Sequence, residues 1–74
     1  MQLRTFEAVA RHRSFRLAAD ELNITPSAVS HQIRHLEAHF GRELFERHHR
    51  RIEPTASGQR LHDQLSRLFD ALDM

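Results

Sequence analysis

The chain has 74 residues, a formal net charge of +1 and no cysteine. This length predicts one small domain near the lower limit for a self-sufficient core, so we expect help from a partner subunit or a further domain. The lack of cysteine excludes disulfides and thiolate metal sites. No apolar run approaches the roughly 20 residues of a membrane span, and the first residues lack the apolar region of a signal peptide.

The basic residues are all arginine, and they are unevenly distributed. Residues 1–52 carry nine Arg against six acidic residues, whereas residues 53–74 carry two Arg against four. Arginine offers a planar fork of donors that fits phosphate and guanine, so the basic excess in the first segment favours a nucleic-acid partner. A GC-rich genome would produce the same preference for arginine over lysine.

Apolar periodicity predicts two helices before residue 23. Both stripes recur every three or four residues, and Ser14 is a suitable N-cap between them. The stripes consist of Leu3, Phe6, Val9 and Ala10, and of Phe15, Ala18, Ala19 and Leu22. Because the small Ala18–Ala19 pair lets a crossing helix approach closely, the spacing predicts a helix-turn-helix.

The turn at Asn23 leads into a third predicted helix. Asn23 tolerates the left-handed backbone of a sharp turn, Thr25 is a good N-cap, and Pro26 fits the first helical position. The helix is predicted to run from Pro26 to about Phe40 and to end at Gly41, a usual residue after a helix.

The two faces of this third helix have opposite chemistry. An apolar stripe of Val29, Ile33, Leu36 and Phe40 is predicted to face the core. The opposite face is short, polar and cationic, with Ser30 at its edge; it consists of Ser27, His31 and Arg34. Small hydroxyls and bidentate donors on a helix that begins at a turn suit a DNA major groove, although solvated helix faces have a similar composition.

Residues 45–54 predict an exposed cationic segment. Phe45 and Ile52 flank the basic run that ends at Arg51, and Pro54 closes it. We interpret the segment as two short strands or an extended loop, a wing, that presents cations at its tip. The lack of glycine argues against a tight two-residue turn.

Thr55 is predicted to cap a last helix, from Ala56 to the end of the chain. Leucines follow at heptad spacing, and no apolar segment remains for them to pack against, so we expect them to pair with a second copy of the chain. The predicted dimerisation residues are Leu61, Leu65, Leu68, Phe69 and Leu72. Since no Gly or Pro terminates this helix, we expect the chain to be cut from a longer protein.

The order of these motifs resembles the N-terminal DNA-binding domain of LysR-type transcriptional regulators over essentially all 74 residues. The resemblance rests on Phe6-x-x-Val9-Ala10, Ser14-Phe15-x-x-Ala18-Ala19-x-x-Leu22, Thr25-x-x-Ala28-Val29-Ser30-x-Gln32-Ile33-x-x-Leu36-Glu37, Gly41-x-x-Leu44-Phe45-x-Arg47 and Thr55-x-x-Gly58. Together these motifs are highly specific. The Ala-Val-Ser-His-Gln run is most similar to the glycine-cleavage-activator-type branch.

The resemblance implies a mainly α fold. Residues 1–54 would form a winged helix-turn-helix of three helices plus a short β wing, and residues 55–74 a long linker helix for dimerisation. The implied function is sequence-specific binding of a double-stranded, palindromic operator by a cytoplasmic, nucleoid-associated homodimer. The family also has an effector-binding domain and usually forms tetramers. That domain is absent here, so no small-molecule effector is expected within this chain.

The family's DNA contacts carry over to positions on the third helix and the wing. They are Thr25, Pro26, Ser27, Ser30, His31, Gln32 and Arg34 on the helix, and Arg50 and Arg51 on the wing. We expect Thr25, Arg50 and Arg51 to contact the DNA backbone, and the serines, His31, Gln32 and Arg34 to read bases.

The sequence departs from the common family pattern at three places. Pro26-Ser27 stands where Gln-Pro is common, which removes a possible adenine reader. His31 stands where Arg is frequent, which puts guanine recognition there in doubt. His48-His49 replaces a frequent Thr-Gly at the wing tip, so this tip is expected to differ in stiffness or shape.

Three other interpretations are weaker. A protein-interaction or dimerisation module with a winged-helix scaffold is the main alternative, and the salt dependence of binding separates it from DNA recognition. His31, His35 and His39 have i, i+4, i+8 spacing, but their ladder crosses the groove-facing surface and no HExxH motif occurs, so we expect no metal or other cofactor. The sequence contains no catalytic constellation of nucleophile and base, so we expect no enzymatic activity.

Overall fold

The structure, a computed structural model, describes residues 2–48 and 51–72, with side chains from Leu3 onward. These residues form four helices and one two-stranded antiparallel sheet. In chain order they are α1 (Gln2–His12), α2 (Phe15–Leu22), α3 (Pro26–Phe40), β1 (Phe45–His48), β2 (Arg51–Pro54) and α4 (Ala56–Leu72). The predicted winged helix-turn-helix with a following helix is confirmed. None of these helices has the length and apolar character that crossing a membrane requires.

Local capping residues set the helix boundaries that the sequence predicts. Ser14, Thr25 and Thr55 cap α2, α3 and α4, and each side-chain oxygen accepts a backbone N–H three residues further on at 3.1 Å. Asn23 and Gly41 end α2 and α3 with φ angles of 60° and 67°, in the left-handed region. Asn and Gly adopt this conformation more readily than other residues, so the turns on both sides of α3 follow from local chemistry.

The core lies between α1, α2 and α3, and the wing and α4 close it. The rings of Phe6 on α1 and Phe45 on β1 lie 5.3 Å apart between centroids, and this contact ties the start of the wing to the helices. The buried apolar residues are Phe6, Ala8, Val9, Ala10, Ala18, Ala19, Val29, Ile33, Leu36, Leu44, Phe45 and Leu65.

The sequence analysis assigned all five apolar residues of α4 to a dimer interface because no apolar segment remained for them to pack against. That premise is wrong, because three of them pack against the core of the same chain. Leu65 is 5% exposed and buried in the core, and Leu61 and Phe69 pack against the core while half-buried. At about 100° per residue the apolar stripe of α4 is broad, and its one edge packs against α1. Leu68, on the flank of the stripe, and Leu72, the last residue of α4, are 58% and 74% exposed.

Phe40 also departs from its predicted core position. It is 46% exposed, although Val29, Ile33 and Leu36 on the same stripe are buried. Phe40 is the last residue of α3, and there it lines two open grooves, one shared with Leu3 and one shared with Leu61. The neighbouring elements therefore cover the end of α3 only in part.

The wing is a two-stranded hairpin with a defined register. Phe45 lies opposite Pro54, and His48 lies opposite Arg51, so residues 49 and 50 connect the strands. Both residues lie outside the described part of the chain, and so does the predicted difference at the wing tip.

A cluster of charged side chains joins α1 to α2. The Arg11 guanidinium donates from Nε to Glu7 Oε2 at 2.9 Å and from Nη2 to Glu21 Oε2 at 2.7 Å. His12 Nε2 lies 2.8 Å from Glu21 Oε1. The hydrogen bonds from Arg11, followed by that from His12, lower the pKa of Glu21 from 4.5 to about 2.

Gly58 provides the first prediction, because the backbone of α4 passes very close to the residue before the wing. A Cβ at Gly58 would lie 2.0 Å from the carbonyl oxygen of Leu44, which is backbone and cannot rotate away. We expect Gly58→Ala to lower the free energy of unfolding by about 3 kcal/mol, measured by urea denaturation. Gly41→Ala is the matched control. It has open space but a φ of +67°, and should cost only about 1–2 kcal/mol. Equal stability of Gly58→Ala and the unsubstituted chain would contradict the close approach.

Glu21 provides a second prediction, on the pH dependence of stability. Its pKa is lower in the folded state than in the unfolded chain, so its stabilising contribution is complete above pH 4.5 and is lost as the pH falls through about 2. Glu21→Gln should therefore reduce stability at pH 7, by less than about 1 kcal/mol for such an exposed pair, and should have no effect near pH 2. Urea unfolding at several pH values tests this. The control is Asp20→Asn, since Asp20 lies 3.7 Å from Arg16 in a more exposed pair.

Candidate nucleic-acid interface

The polar face of α3 points outward because the opposite face is buried. Val29 and Ile33 are fully buried, and this fixes the rotation of α3 about its axis. Ser27, His31 and Arg34 are consequently exposed on one side of the helix. The structure thus brings together three of the predicted base-reading side chains on one surface, which begins at the N-terminal end of α3.

Thr25 and Pro26 lie at the exposed start of this surface. Thr25 Oγ1 accepts the hydrogen bond of the cap, and a hydroxyl that accepts can still donate its own proton. The N-terminal turn of a helix carries partial positive charge from its unpaired amides, so an anion is favoured at this end of α3.

Ser30 and Gln32 lie at the flanks of the polar face and are half-buried. The carbonyl oxygen of Gln32 accepts a hydrogen bond from the hydroxyl of Thr5 on α1, at 2.5 Å. Gln32 is therefore held against α1 by a residue 27 positions earlier in the chain.

Arg34 remains exposed on the polar face. A pair with Glu37, three residues further on, is the simplest alternative to a contact of Arg34 with DNA. In the structure Glu37 Oε2 instead accepts from the backbone N–H groups of Leu44 at 2.8 Å and Phe45 at 3.3 Å. Glu37 thereby anchors the segment that enters the wing.

The outer face of the wing carries two acidic and two basic residues. Glu46 lies opposite Glu53, and His48 lies opposite Arg51 one step nearer the tip. His48 Nε2 is 3.2 Å from Glu46 Oε1 and 3.3 Å from Glu53 Oε2, and Arg51 Nη2 is 3.6 Å from Glu53 Oε2. These carboxylates offset part of the positive charge near the tip. Arg50, the other predicted wing contact, lies outside the described residues.

Arg47 has a role that the sequence analysis did not assign. Its guanidinium carbon lies 5.0 Å from the ring centroid of Phe15, so it holds the wing against the start of α2 by a cation–π contact. The signal was available in the strand period, because Arg47 lies two residues after the buried Phe45 and shares its face.

The histidine ladder of α3 lies along the exposed side of the helix, with His31, His35 and His39 all exposed. Within residues 3–48 and 51–72, no three His, Asp or Glu side chains are grouped so that they could hold a metal ion. The described part of the interface therefore consists of hydroxyl, imidazole, carboxamide and guanidinium groups, the chemistry that contacts base edges and phosphates.

Residues 1–59 match a family model described as bacterial regulatory helix-turn-helix protein, lysR family. Two curated relatives come from Escherichia coli strain K12. The HTH-type transcriptional regulator DsdC is 49% identical over 72 residues, or 97% of this chain. The glycine cleavage system transcriptional activator is 46% identical over 70 residues, or 95% of this chain. The chain spans 23% of the length of each relative.

The fold is also similar to that of two solved protein–DNA complexes. The BenM_DBD/benA site 1 DNA complex matches with a TM-score of 0.90 and 36% identity, and the match covers 97% of this chain and 81% of that one. The CbnR_DBD-DNA complex matches with a TM-score of 0.87 and 35% identity, covering 97% of this chain and 83% of that one.

Proposed function

The chain belongs to the lysR family of bacterial regulatory helix-turn-helix proteins, and from this premise we propose that it is the operator-reading module of a transcriptional regulator. Its function is sequence-specific binding of double-stranded DNA and not catalysis, because its relatives are transcriptional regulators and its structural neighbours include DNA complexes. The observation that carries the proposal is the polar face of α3, which the buried Val29 and Ile33 hold outward. Bacterial DNA lies in the cytoplasm, so we place the protein there, on the nucleoid.

The proposed contacts divide into base readers and backbone contacts. Side chains of α3 enter the major groove and read base edges: Ser27, His31 and Arg34 from its exposed face, and Ser30 and Gln32 from the flanks of that face. Thr25 and Pro26 at the start of α3 meet the DNA backbone, and Arg51 meets it from the wing. Arg50 joins this second group on its position in the sequence alone.

We further propose that two copies of the chain pair through α4. Leu68 and Leu72 are the supporting residues, because both are exposed and apolar and they lie one turn apart near the C-terminal end of α4. A two-fold pair of modules requires a palindromic operator with half-sites one helical turn, about 34 Å, or a multiple of it apart. Tetramer formation and the response to an effector belong to the longer protein of this family.

The division into base readers and backbone contacts is tested by selection from a random duplex library at two salt concentrations. We expect Arg51→Ala to weaken binding to all sequences alike and to reduce the log–log salt slope by about 0.9, because one phosphate contact is lost. We expect His31→Ala to change the base preferred at one position of each half-site. Arg67→Ala, which removes an exposed arginine of α4, is the matched control and should change neither quantity.

Two results would contradict this division. Equal losses across all sequences for both His31→Ala and Arg51→Ala would remove the distinction between reading and positioning. Absence of salt-dependent binding by the unsubstituted chain would favour the alternative of a protein-interaction module, since pairing of leucine side chains is almost insensitive to salt.

The pairing through α4 is tested by sedimentation of leucine variants. Leu68→Glu and Leu72→Glu should convert a dimer to a monomer with little change in unfolding free energy, because both side chains are exposed in the single chain. Leu17→Glu on α2, where the leucine is also exposed, is the control and should leave the dimer intact. Leu65→Ala should instead lower the stability of the fold by about 2–5 kcal/mol. A dimer that survives both glutamate substitutions would contradict the proposed interface.

A further inference from the structure

Thr5 is the buried polar residue of an otherwise apolar core. Its exposure is 1%, and every other buried side chain among the described residues is hydrophobic. A buried hydroxyl is costly unless it forms hydrogen bonds, so a core position occupied by threonine rather than valine calls for a reason in the structure. The contact that Thr5 makes across the helix interface supplies that reason.

Thr5 Oγ1 donates to Oε1 of Gln32 on α3, and the two residues are 27 positions apart in the chain. The hydrogen bond therefore joins the buried side of α1 to the flank of the proposed DNA-reading face. A glutamine side chain has three rotatable bonds before its carboxamide, and the Thr5 contact selects one orientation among those available. The Gln32 carboxamide is thus held in place before any DNA arrives.

This orientation determines which end of the carboxamide is available. The carbonyl oxygen of Gln32 is engaged by Thr5, so in the proposed complex the NH2 group is the end offered to DNA. Bidentate recognition of adenine requires both ends, since the carbonyl accepts from N6 and the NH2 donates to N7. An NH2 group alone can donate to N7 of adenine or of guanine, because both purines present this acceptor in the major groove.

We propose that Thr5 is a positioning residue for sequence recognition: it holds the carbonyl end of Gln32 against α1, so that the NH2 end is presented to DNA and accepts either purine rather than adenine alone. The proposal rests on the proposed function, in which Gln32 faces DNA. Thr5 itself lies in the core and does not touch DNA.

The experiment is random-duplex selection with the 74-residue chain and four variants: Thr5→Val, Thr5→Ser, Gln32→Ala and the double variant Thr5→Val/Gln32→Ala. Valine has nearly the shape of threonine but no hydroxyl, so it removes the hydrogen bond and fills the same space. We expect Thr5→Val to shift the preference from either purine towards adenine by about fivefold at the base pair whose preference Gln32→Ala abolishes. Thr5→Ser keeps the hydroxyl and should retain the original preference.

The double variant shows whether Thr5 acts through Gln32. With Gln32 replaced by alanine, Thr5→Val should have no further effect on base preference. A change that persists in the double variant overturns the proposal. The proposal is also overturned if Thr5→Val leaves the base preference unchanged or shifts it away from adenine. Equal weakening of binding to all sequences would overturn it too, because that is the result expected of a merely structural role.

The proposed function and this inference fail in distinguishable ways. If the unsubstituted chain enriches no sequence, the proposed function fails, and the inference fails with it. If the unsubstituted chain enriches a sequence and Gln32→Ala leaves its base preferences unchanged, only the inference about Thr5 and Gln32 fails.

Discussion

The burial of one face of α3 is the constraint on which the rest of the molecule depends. Val29 and Ile33 lose all contact with water against α1 and α2, and burying two such side chains contributes about 1.5–3 kcal/mol each. Ala18 and Ala19 are small enough to let α3 cross α2 closely. Because this packing allows only one rotation of α3, the serine, histidine and arginine side chains on the other face must point outward. A surface suited to DNA is therefore a geometric consequence of the core.

The wing and α4 extend this core where three short helices alone would be marginal. Phe45 reaches Phe6 on α1, and Leu65 of α4 is buried in the same cluster. Gly58 lets the start of α4 lie directly against the backbone of Leu44, since a side chain at this position would push the two segments apart. The helix proposed to join two copies is therefore fixed rigidly to the element that reads DNA. In a dimer, the direction of α4 would set the distance between the two copies of α3. The half-site spacing of the operator would match that distance.

Local signals were sufficient to predict the helix boundaries, and tertiary contacts explain the remaining differences. Ser14, Thr25 and Gly41 act through residues three or four positions away, and each was recognisable in the sequence. The burial of Leu65 was not, because periodicity shows that α4 has an apolar stripe but not which part of that stripe meets α1. The attachment of Gln32 depends on Thr5, 27 residues earlier, and no pattern within α3 contains that partner. Thr5 did carry a signal, since it lies three and four residues before Ala8 and Val9, both of which are buried.

The distribution of charge connects the proposed dimer with DNA recognition. The chain has almost no net charge, and some of its arginines are already engaged by carboxylates: Arg11 by Glu7 and Glu21, and Arg16 by Asp20. In the proposed complex few arginines, Arg51 among them, therefore meet phosphates in each copy. Since each phosphate contact adds to the electrostatic part of the affinity, one copy alone would bind any DNA weakly. Two copies linked through α4 would double the phosphate contacts on any duplex, but they would double the base contacts only on a correctly spaced palindrome. A low charge per copy combined with pairing through α4 thus favours specific over non-specific binding.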